Sequence, residues 1–125
     1  MHAFVGRTAD VGEELGVLSV AIAEDDRGDG RVLTFMSPLP GDAETSLCVT
    51  NEAGDTAYGG ITKILLSRDW LRVNFRTGVG HGLRLPDETE VPLDLTADEF
   101  EALARGLADV LSRCADAPTL DVSAG

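Results

Sequence analysis

The sequence has few of the side chains that build metal sites and nucleophilic catalytic sites. Its 125 residues include two histidines, His2 and His81, and two cysteines, Cys48 and Cys114. These are too few ligands, at unsuitable spacing, for a zinc site, and they do not resemble a disulfide framework. The chain has neither a GxSxG nor an HExxH motif. We therefore expect no metal, no cofactor, no catalytic residue and no enzymatic activity, with both thiols buried and reduced.

Long apolar runs are absent and positive charge is scarce. No run approaches the length of a membrane span, about 18 apolar residues, and the N-terminus lacks a secretion-signal pattern, so we expect a cytoplasmic protein. The 22 Asp and Glu residues outnumber the 10 Lys and Arg residues, giving a formal net charge of −12. Such a surface repels nucleic acid and speeds association with a basic protein. Solubility alone explains the charge equally well.

Aromatic side chains are also few, so aliphatic residues must fill most of the core. The chain has four phenylalanines, one tyrosine, Tyr58, and one tryptophan, Trp70. Leucine, valine and phenylalanine alternate through Trp70–Arg76 and place Trp70 on the opposite, polar face. Trp70 is then either covered by a loop or by neighbouring arginine stems, or an exposed anchor for a partner.

The patterns that are present predict an α+β fold in a single domain over residues 1–113. We expect an antiparallel sheet of about six or seven strands with one C-terminal helix packed on a face, and a flexible tail over residues 114–125. Thr96 is the expected N-cap of that helix, with Glu99 at capping-box spacing. The segments with strand patterns are residues 16–24, 31–37, 46–51, 61–66, 70–76, 83–85 and 90–95. Because Pro92 cannot donate to a ladder, its strand should lie at an edge.

Charged residues are segregated along the chain. Half of the basic residues fall close together and could form one cationic patch: Lys63, Arg68, Arg72, Arg76 and Arg84. Acidic residues cluster in the first turn and before the helix, and those considered as partner-binding residues are Asp25, Asp26, Asp29, Asp87, Glu88 and Glu90. Solvated faces and cross-strand pairs are one interpretation, and a segregated interaction surface is the other. The loop "GVGHG" leads into no helix, so it is interpreted as a mobile turn with His81 exposed.

Several of these segments together resemble a known family. "YGGI" at residues 58–61, followed by "TKILLSRDWLRVNF", "VPLDL" and the helix opening "TADEFEALARGL", is similar to the immunity protein 10 family of bacterial polymorphic toxin systems. The resemblance implies a cytoplasmic protein that binds and blocks a cognate toxin, often a nuclease, without catalysis. The short, proline-rich segment "PLPGDAETS" departs from the family pattern and leaves the identity of the toxin open.

The resemblance also suggests a role for the glycine pair in "YGGI". Gly59 and Gly60 are expected to form a bulge or a close backbone crossing at the start of a central strand, with Tyr58 packed over the missing side chains. A role of Tyr58 in toxin contact is the alternative. Three further alternatives stay open: a small-ligand binding domain, a chaperone or adaptor for a secreted protein, and a homodimer.

Overall fold

Two β-sheets and one α-helix form the described part of the chain. The computed structural model describes residues 4–25, 30–37, 46–114 and 117–123. Within these residues the elements are β1 Thr8–Glu14, β2 Val17–Ala23, β3 Val32–Met36, β4 Cys48–Asn51, β5 Thr56–Tyr58, β6 Ile61–Leu66, β7 Trp70–Phe75, β8 Glu88–Pro92, α1 Ala97–Ser112 and β9 Thr119–Val122. The first sheet has the order β1-β2-β3-β4-β5 and the second β8-β7-β6-β9. The predicted α+β class is confirmed, but the strands lie in two sheets rather than one of six or seven.

The first sheet is antiparallel throughout, and alternation along its strands separates a buried face from an outward face. Leu18, Val20 and Ile22 of β2 are buried, as the two-residue period predicts. Strand β1 was not predicted, because its residues are mostly polar or acidic and its last five are exposed. Its turn into β2 uses Leu15 and Gly16, both at positive φ, as a tight hairpin turn requires.

The second sheet contains the β6–β7 hairpin, and β8 lies at its edge, as Pro92 requires. Leu71, Val73 and Phe75 of β7 are buried, which confirms the predicted alternation. At the other edge β9 runs parallel to β6. Thr119–Val122 therefore does not belong to a loose tail: β6 offers a free edge there, and Leu120 packs against the core.

The glycine pair carries the chain from the first sheet to the second. Both residues have positive φ, 70° at Gly59 and 80° at Gly60. The Gly59 N–H donates to the carbonyl of Leu47 (2.8 Å), and the Gly60 carbonyl accepts from the N–H of Arg76 (2.7 Å). A register shift between Ile61 and Lys63 follows. The expected close crossing is found at this point, but Tyr58 is 76% exposed and does not pack over the glycines.

The helix begins at the predicted capping box. The Glu99 N–H donates to Thr96 Oγ1 and the Thr96 N–H donates to Glu99 Oε1, each at 3.1 Å. This second bond lowers the pKa of the Glu99 carboxyl by stabilising its charged form. Gly106 faces the first sheet, where an added Cβ would lie 2.9 Å from side-chain atoms of Val11 and of Val20. The buried faces of both sheets and of the helix contribute to one hydrophobic cluster.

Two local predictions are wrong. The strand expected at residues 83–85 is instead the end of a 3-10 helix, Gly80–Leu83, followed by Arg84 at φ 60°. The turn buries Leu83 and Leu85 and leaves Arg84 between them exposed. This pattern in the sequence is the same as the alternation of a strand, which explains the wrong prediction. Cys48 and Cys114 are not joined in a disulfide, but they are only half-buried rather than buried. His81 is exposed, as expected for the tip of a turn.

Candidate binding surfaces

The residues predicted to bind a partner do not form one surface. Trp70, Glu88 and Glu90 lie together on the outward face of the second sheet, while Tyr58 lies on the outward face of the first. Asp25 follows β2, beside a hollow at the start of the helix. Asp87 precedes β8 and accepts a hydrogen bond from the Gly78 N–H (3.1 Å). Asp26 and Asp29 lie outside the described residues.

Trp70 belongs to a group that we name the Arg72 cluster, made of Trp70, Arg72, Glu88 and Glu90. The Arg72 guanidinium lies 5.0 Å from the centre of the Trp70 ring. Its Nε is 3.5 Å from Glu88 Oε1, and its Nη2 is 3.6 Å from Glu90 Oε2. Of the two alternatives for Trp70, the structure shows a half-buried ring covered by an arginine. The cluster satisfies most of its charge internally.

The expected cationic patch forms only in part: Lys63 and Arg72 share the outward face of the β6–β7 hairpin, while Arg84 and Arg68 contact other elements. Arg84 pairs with Asp55 (Nε to Oδ2, 3.2 Å) in the first sheet's β4–β5 turn. Arg68 donates from Nη1 to the Leu95 carbonyl (3.0 Å) and lies 5.4 Å from the centre of the Phe100 ring, at the start of the helix. The bends after β6 and β7 therefore direct Arg68 to the start of the helix and Arg84 to the first sheet, so these two residues do not join the others on the sheet face.

An acidic hollow of about 340 Å³ lies where the first sheet meets the helix. Its lining residues are Arg7, Thr8, Glu24, Asp25 and Glu99. Glu24 accepts from the Arg31 N–H (3.2 Å), and Glu99 accepts from the Ala9 N–H (3.5 Å) in addition to its capping bonds. The carboxylates of Glu24 and Glu99 are therefore both engaged in hydrogen bonds to backbone N–H groups. Among the described residues, no group of three or more histidine, cysteine, aspartate or glutamate side chains is placed to hold a metal ion.

The outward face of the first sheet is different in character, and we name its central part the neutral face. Its members are uncharged, half-buried side chains of β2, β3 and β4: Val17, Ser19, Ala21, Ala23, Val32, Thr34, Met36, Cys48 and Thr50. The register aligns them in rows across the sheet, with Ala21 opposite Thr34 and Thr34 opposite Thr50. The helix and the end of the second sheet lie against the opposite face, where Gly106 meets Val20 and Gly6 approaches Ile22 and Leu93.

The two edges of the neutral face carry charge and an aromatic side chain. On β1, Asp10 lies opposite Ala21 and Glu14 lies opposite Val17, and both carboxylates are exposed. On β5, Tyr58 lies opposite Cys48. Burial raises the pKa of the Cys48 thiol, and a hydrogen bond with the Tyr58 side chain acts in the opposite direction.

A second hollow opens at one end of the neutral face. It measures about 230 Å³, and its lining includes Ala23 and Val32 of that face together with Arg31 and Glu52. Arg31 Nε is 3.4 Å from Glu52 Oε1, so this ion pair offsets the basic charge at that end. Both faces of β2 are fairly apolar in sequence, a pattern typical of a central strand. Strand β2 is central in its sheet. Its small, uncharged outward residues also form part of the neutral face.

Comparison with known protein families finds a match over most of the chain. A family model described as Immunity protein 10 matches residues 3–101, which span β1 to β8 and the opening of the helix. No curated protein and no solved structure matches the chain. Within the part of the chain that the structure describes, no helix has the length and hydropathy of a membrane span.

Proposed function

The chain belongs to the immunity protein 10 family, and we propose on this basis that it binds a cognate bacterial toxin and neutralises it by occlusion. The single observation that carries the proposal is the family match over residues 3–101, which includes every strand of the first sheet and most of the second. Occlusion requires a stable folded surface and no chemistry of the protein's own.

The arrangement of polar side chains supports a binding role. Asn51, buried at the end of β4, donates from Nδ2 to the Leu83 carbonyl and to Asp55 Oδ2, and accepts from the N–H groups of Ala53 and Asp55, all at 3.0 Å. Glu99 caps the helix, and Asp87 holds the loop after β7. The hydrogen bonds of these side chains stabilise the scaffold. A stable scaffold is what a protein needs if it binds its partner through a rigid surface.

The charge of the chain supports a basic toxin as the partner. With a net charge of −12, the protein attracts a cationic surface over several ångströms of solvent. The active-site cleft of a nuclease is positively charged because it holds phosphates, so an acidic protein fits it electrostatically. We place the encounter in the cytoplasm, where a nuclease delivered into the cell would reach nucleic acid.

Coexpression tests the proposal. The toxin domain encoded in the neighbouring reading frame is induced in a host strain with this chain, with an empty vector, or with an unrelated protein of similar size and net charge. We expect growth only with this chain, because charge alone does not give a specific fit. Arrested growth with all three, when immunoblots show that both proteins are made, would rule out neutralisation.

A further inference from the structure

We propose that the neutral face of the first sheet, between the carboxylates of β1 and Tyr58 of β5, is the surface on which the toxin docks. The inference rests on the proposed function, since it names the surface through which that function is exerted. It assigns the contact to side chains of β2, β3 and β4 rather than to the Arg72 cluster or to the acidic hollow.

The first argument is the distribution of charge on this face. The chain has 32 charged residues by composition, 22 acidic and 10 basic. At the outward positions of the five strands, however, Asp10 and Glu14 of β1 are the charged side chains within the described residues, and both lie on the edge strand. A neutral centre with a charged rim is the arrangement of protein–protein interfaces, whose cores are depleted in charged residues.

The second argument is size and shape. With strands about 4.8 Å apart and a rise of about 3.3 Å per residue, the outward face of the five strands measures roughly 20 Å by 20 Å at its widest. That is about half of the roughly 800 Å² that each partner contributes to a stable interface of standard size. The acidic β1 edge and the exposed ring of Tyr58 on β5 lie within this area, on either side of the neutral face. The neutral face is therefore large enough to be the centre of an interface but too small to be all of it.

The third argument identifies the occupant by charge. A second copy of this chain would bring another net charge of −12 and the same acidic rim. Outward positions of the five strands hold no lysine or arginine within the described residues, so the copy would have no basic side chain there to pair with Asp10 or Glu14. A flat apolar patch bordered by lysine or arginine complements the face. Such a patch fits a basic toxin rather than a homodimer.

The Arg72 cluster offers less to a partner. The Arg72 guanidinium lies over the Trp70 ring and within 3.6 Å of two carboxylates. One face of the Trp70 ring and the charge of Arg72 are therefore already engaged. Binding there would have to break these contacts before forming new ones. Docking on the neutral face removes water from small side chains without breaking an ion pair.

A pair of matched substitutions tests the assignment. Thr34→Lys places a charge at the centre of the neutral face, while Thr119→Lys makes the same change on β9 of the second sheet. The probe is the toxin domain from the neighbouring reading frame, inactivated by substitution, with affinity measured by surface plasmon resonance. We expect Thr34→Lys to weaken binding about 100-fold or more, because the lysine would be buried unpaired against a basic surface. Thr119→Lys should change the affinity less than about threefold.

Two further measurements keep the test independent of the folding of one variant. Tyr58→Ala removes an exposed ring and should weaken binding about tenfold or more. In the wild-type complex, iodoacetamide should modify Cys48 more slowly than in the free protein, with Cys114 as the internal control, because Cys48 lies within the neutral face. Circular dichroism of each variant establishes that the fold is retained.

The outcomes separate this inference from the proposed function. Wild-type binding with unchanged affinity in both Thr34→Lys and Tyr58→Ala would overturn the docking surface and leave toxin binding in place. A wild-type dimer that Thr34→Lys converts to a monomer in sedimentation would show that a second copy occupies the face, and would also overturn it. Failure of the wild-type chain to bind the probe at all would overturn both.

Discussion

Replacing Gly60 with alanine tests whether the glycine pair is what allows the chain to pass from one sheet to the other. At φ 80°, Gly60 occupies a conformation that costs a residue with a Cβ about 1–2 kcal/mol. The new Cβ would also lie 2.7 Å from Val79 Cγ1 and 2.9 Å from Val79 Cγ2. Overpacking of this kind typically costs about 1–3 kcal/mol. We expect Gly60→Ala to lower the free energy of unfolding by about 2–5 kcal/mol.

Gly54 provides the matched control. Its φ is 84°, yet a Cβ added there would have nothing within 4 Å. Gly54→Ala therefore incurs the backbone term alone, about 1–2 kcal/mol. Urea denaturation monitored by tryptophan fluorescence gives both values, and the double variant Gly60→Ala/Val79→Ala measures how much of the excess comes from the Val79 side chain.

The reasoning makes two demands on these measurements. Gly60→Ala must be more destabilising than Gly54→Ala, and truncating Val79 must recover part of the difference. If the two alanine variants agree within about 0.5 kcal/mol, the steric argument for the crossing is wrong. If they differ but Val79→Ala recovers nothing, the excess lies elsewhere in the crossing.

Three other predictions concern the scaffold and the Arg72 cluster. Asn51→Ala should lower the free energy of unfolding by about 2–4 kcal/mol, because it removes the partner of the buried Leu83 carbonyl and of two partly buried backbone N–H groups. Thr56→Ala, which removes one exposed hydrogen bond in the same turn, should cost less than about 1 kcal/mol, and equal losses would contradict the assignment. The pKa of Glu99 is lowered in the folded protein, so its carboxylate contributes stability that is present above the unfolded pKa and lost as pH falls through the folded value. The difference in unfolding free energy between wild type and Glu99→Gln should thus shrink below about pH 4.3, and a difference constant from pH 3 to about 7 would refute the capping contribution. Trp70→Ala should reduce stability by about 1–2 kcal/mol through lost packing with Arg72 while leaving toxin affinity within about threefold, and the reverse pattern would make the Arg72 cluster the interface.

The parts of the fold that sequence predicted are those specified locally. The capping box at Thr96 and Glu99 fixes the start of the helix within four residues, and the apolar stripe of α1 fixes its buried face. The alternation along β7 is equally local, because successive side chains of a strand point to opposite faces of the sheet and their polarity shows which face is buried.

The parts that sequence did not predict depend on distant partners. Strand β9 pairs with the edge of β6 that would otherwise be unpaired. The residues Thr119–Val122 alone do not indicate that their parallel neighbour lies more than fifty residues earlier in the chain. Strand β1 has the composition of a solvated segment, and its pairing depends on β2. The chain passes between the two sheets at Gly59 and Gly60, which both have positive φ. A glycine pair in the sequence is equally compatible with a bulge in one sheet and with a crossing between two, so the sequence did not distinguish them.

The candidate surfaces show the same limit. Trp70 and Tyr58 were singled out together because aromatic residues are scarce, but the crossing at Gly59 and Gly60 places them on different sheets. The neutral face involves three strands whose outward residues are individually unremarkable: alanine, threonine, serine and valine occur on many half-covered sheets. Its character emerges only when the register sets Ala21, Thr34 and Thr50 side by side.

Titration of toxin activity with the purified chain tests the central claim most directly. The toxin domain from the neighbouring reading frame is held at a concentration well above the dissociation constant, and its activity is measured as the chain is added. Occlusion predicts a linear fall to zero at a fixed, whole-number ratio of chain to toxin, with full activity recovered when the complex is dissociated. Residual activity at tenfold excess, or loss of activity at a small fraction of one chain per toxin, would contradict it.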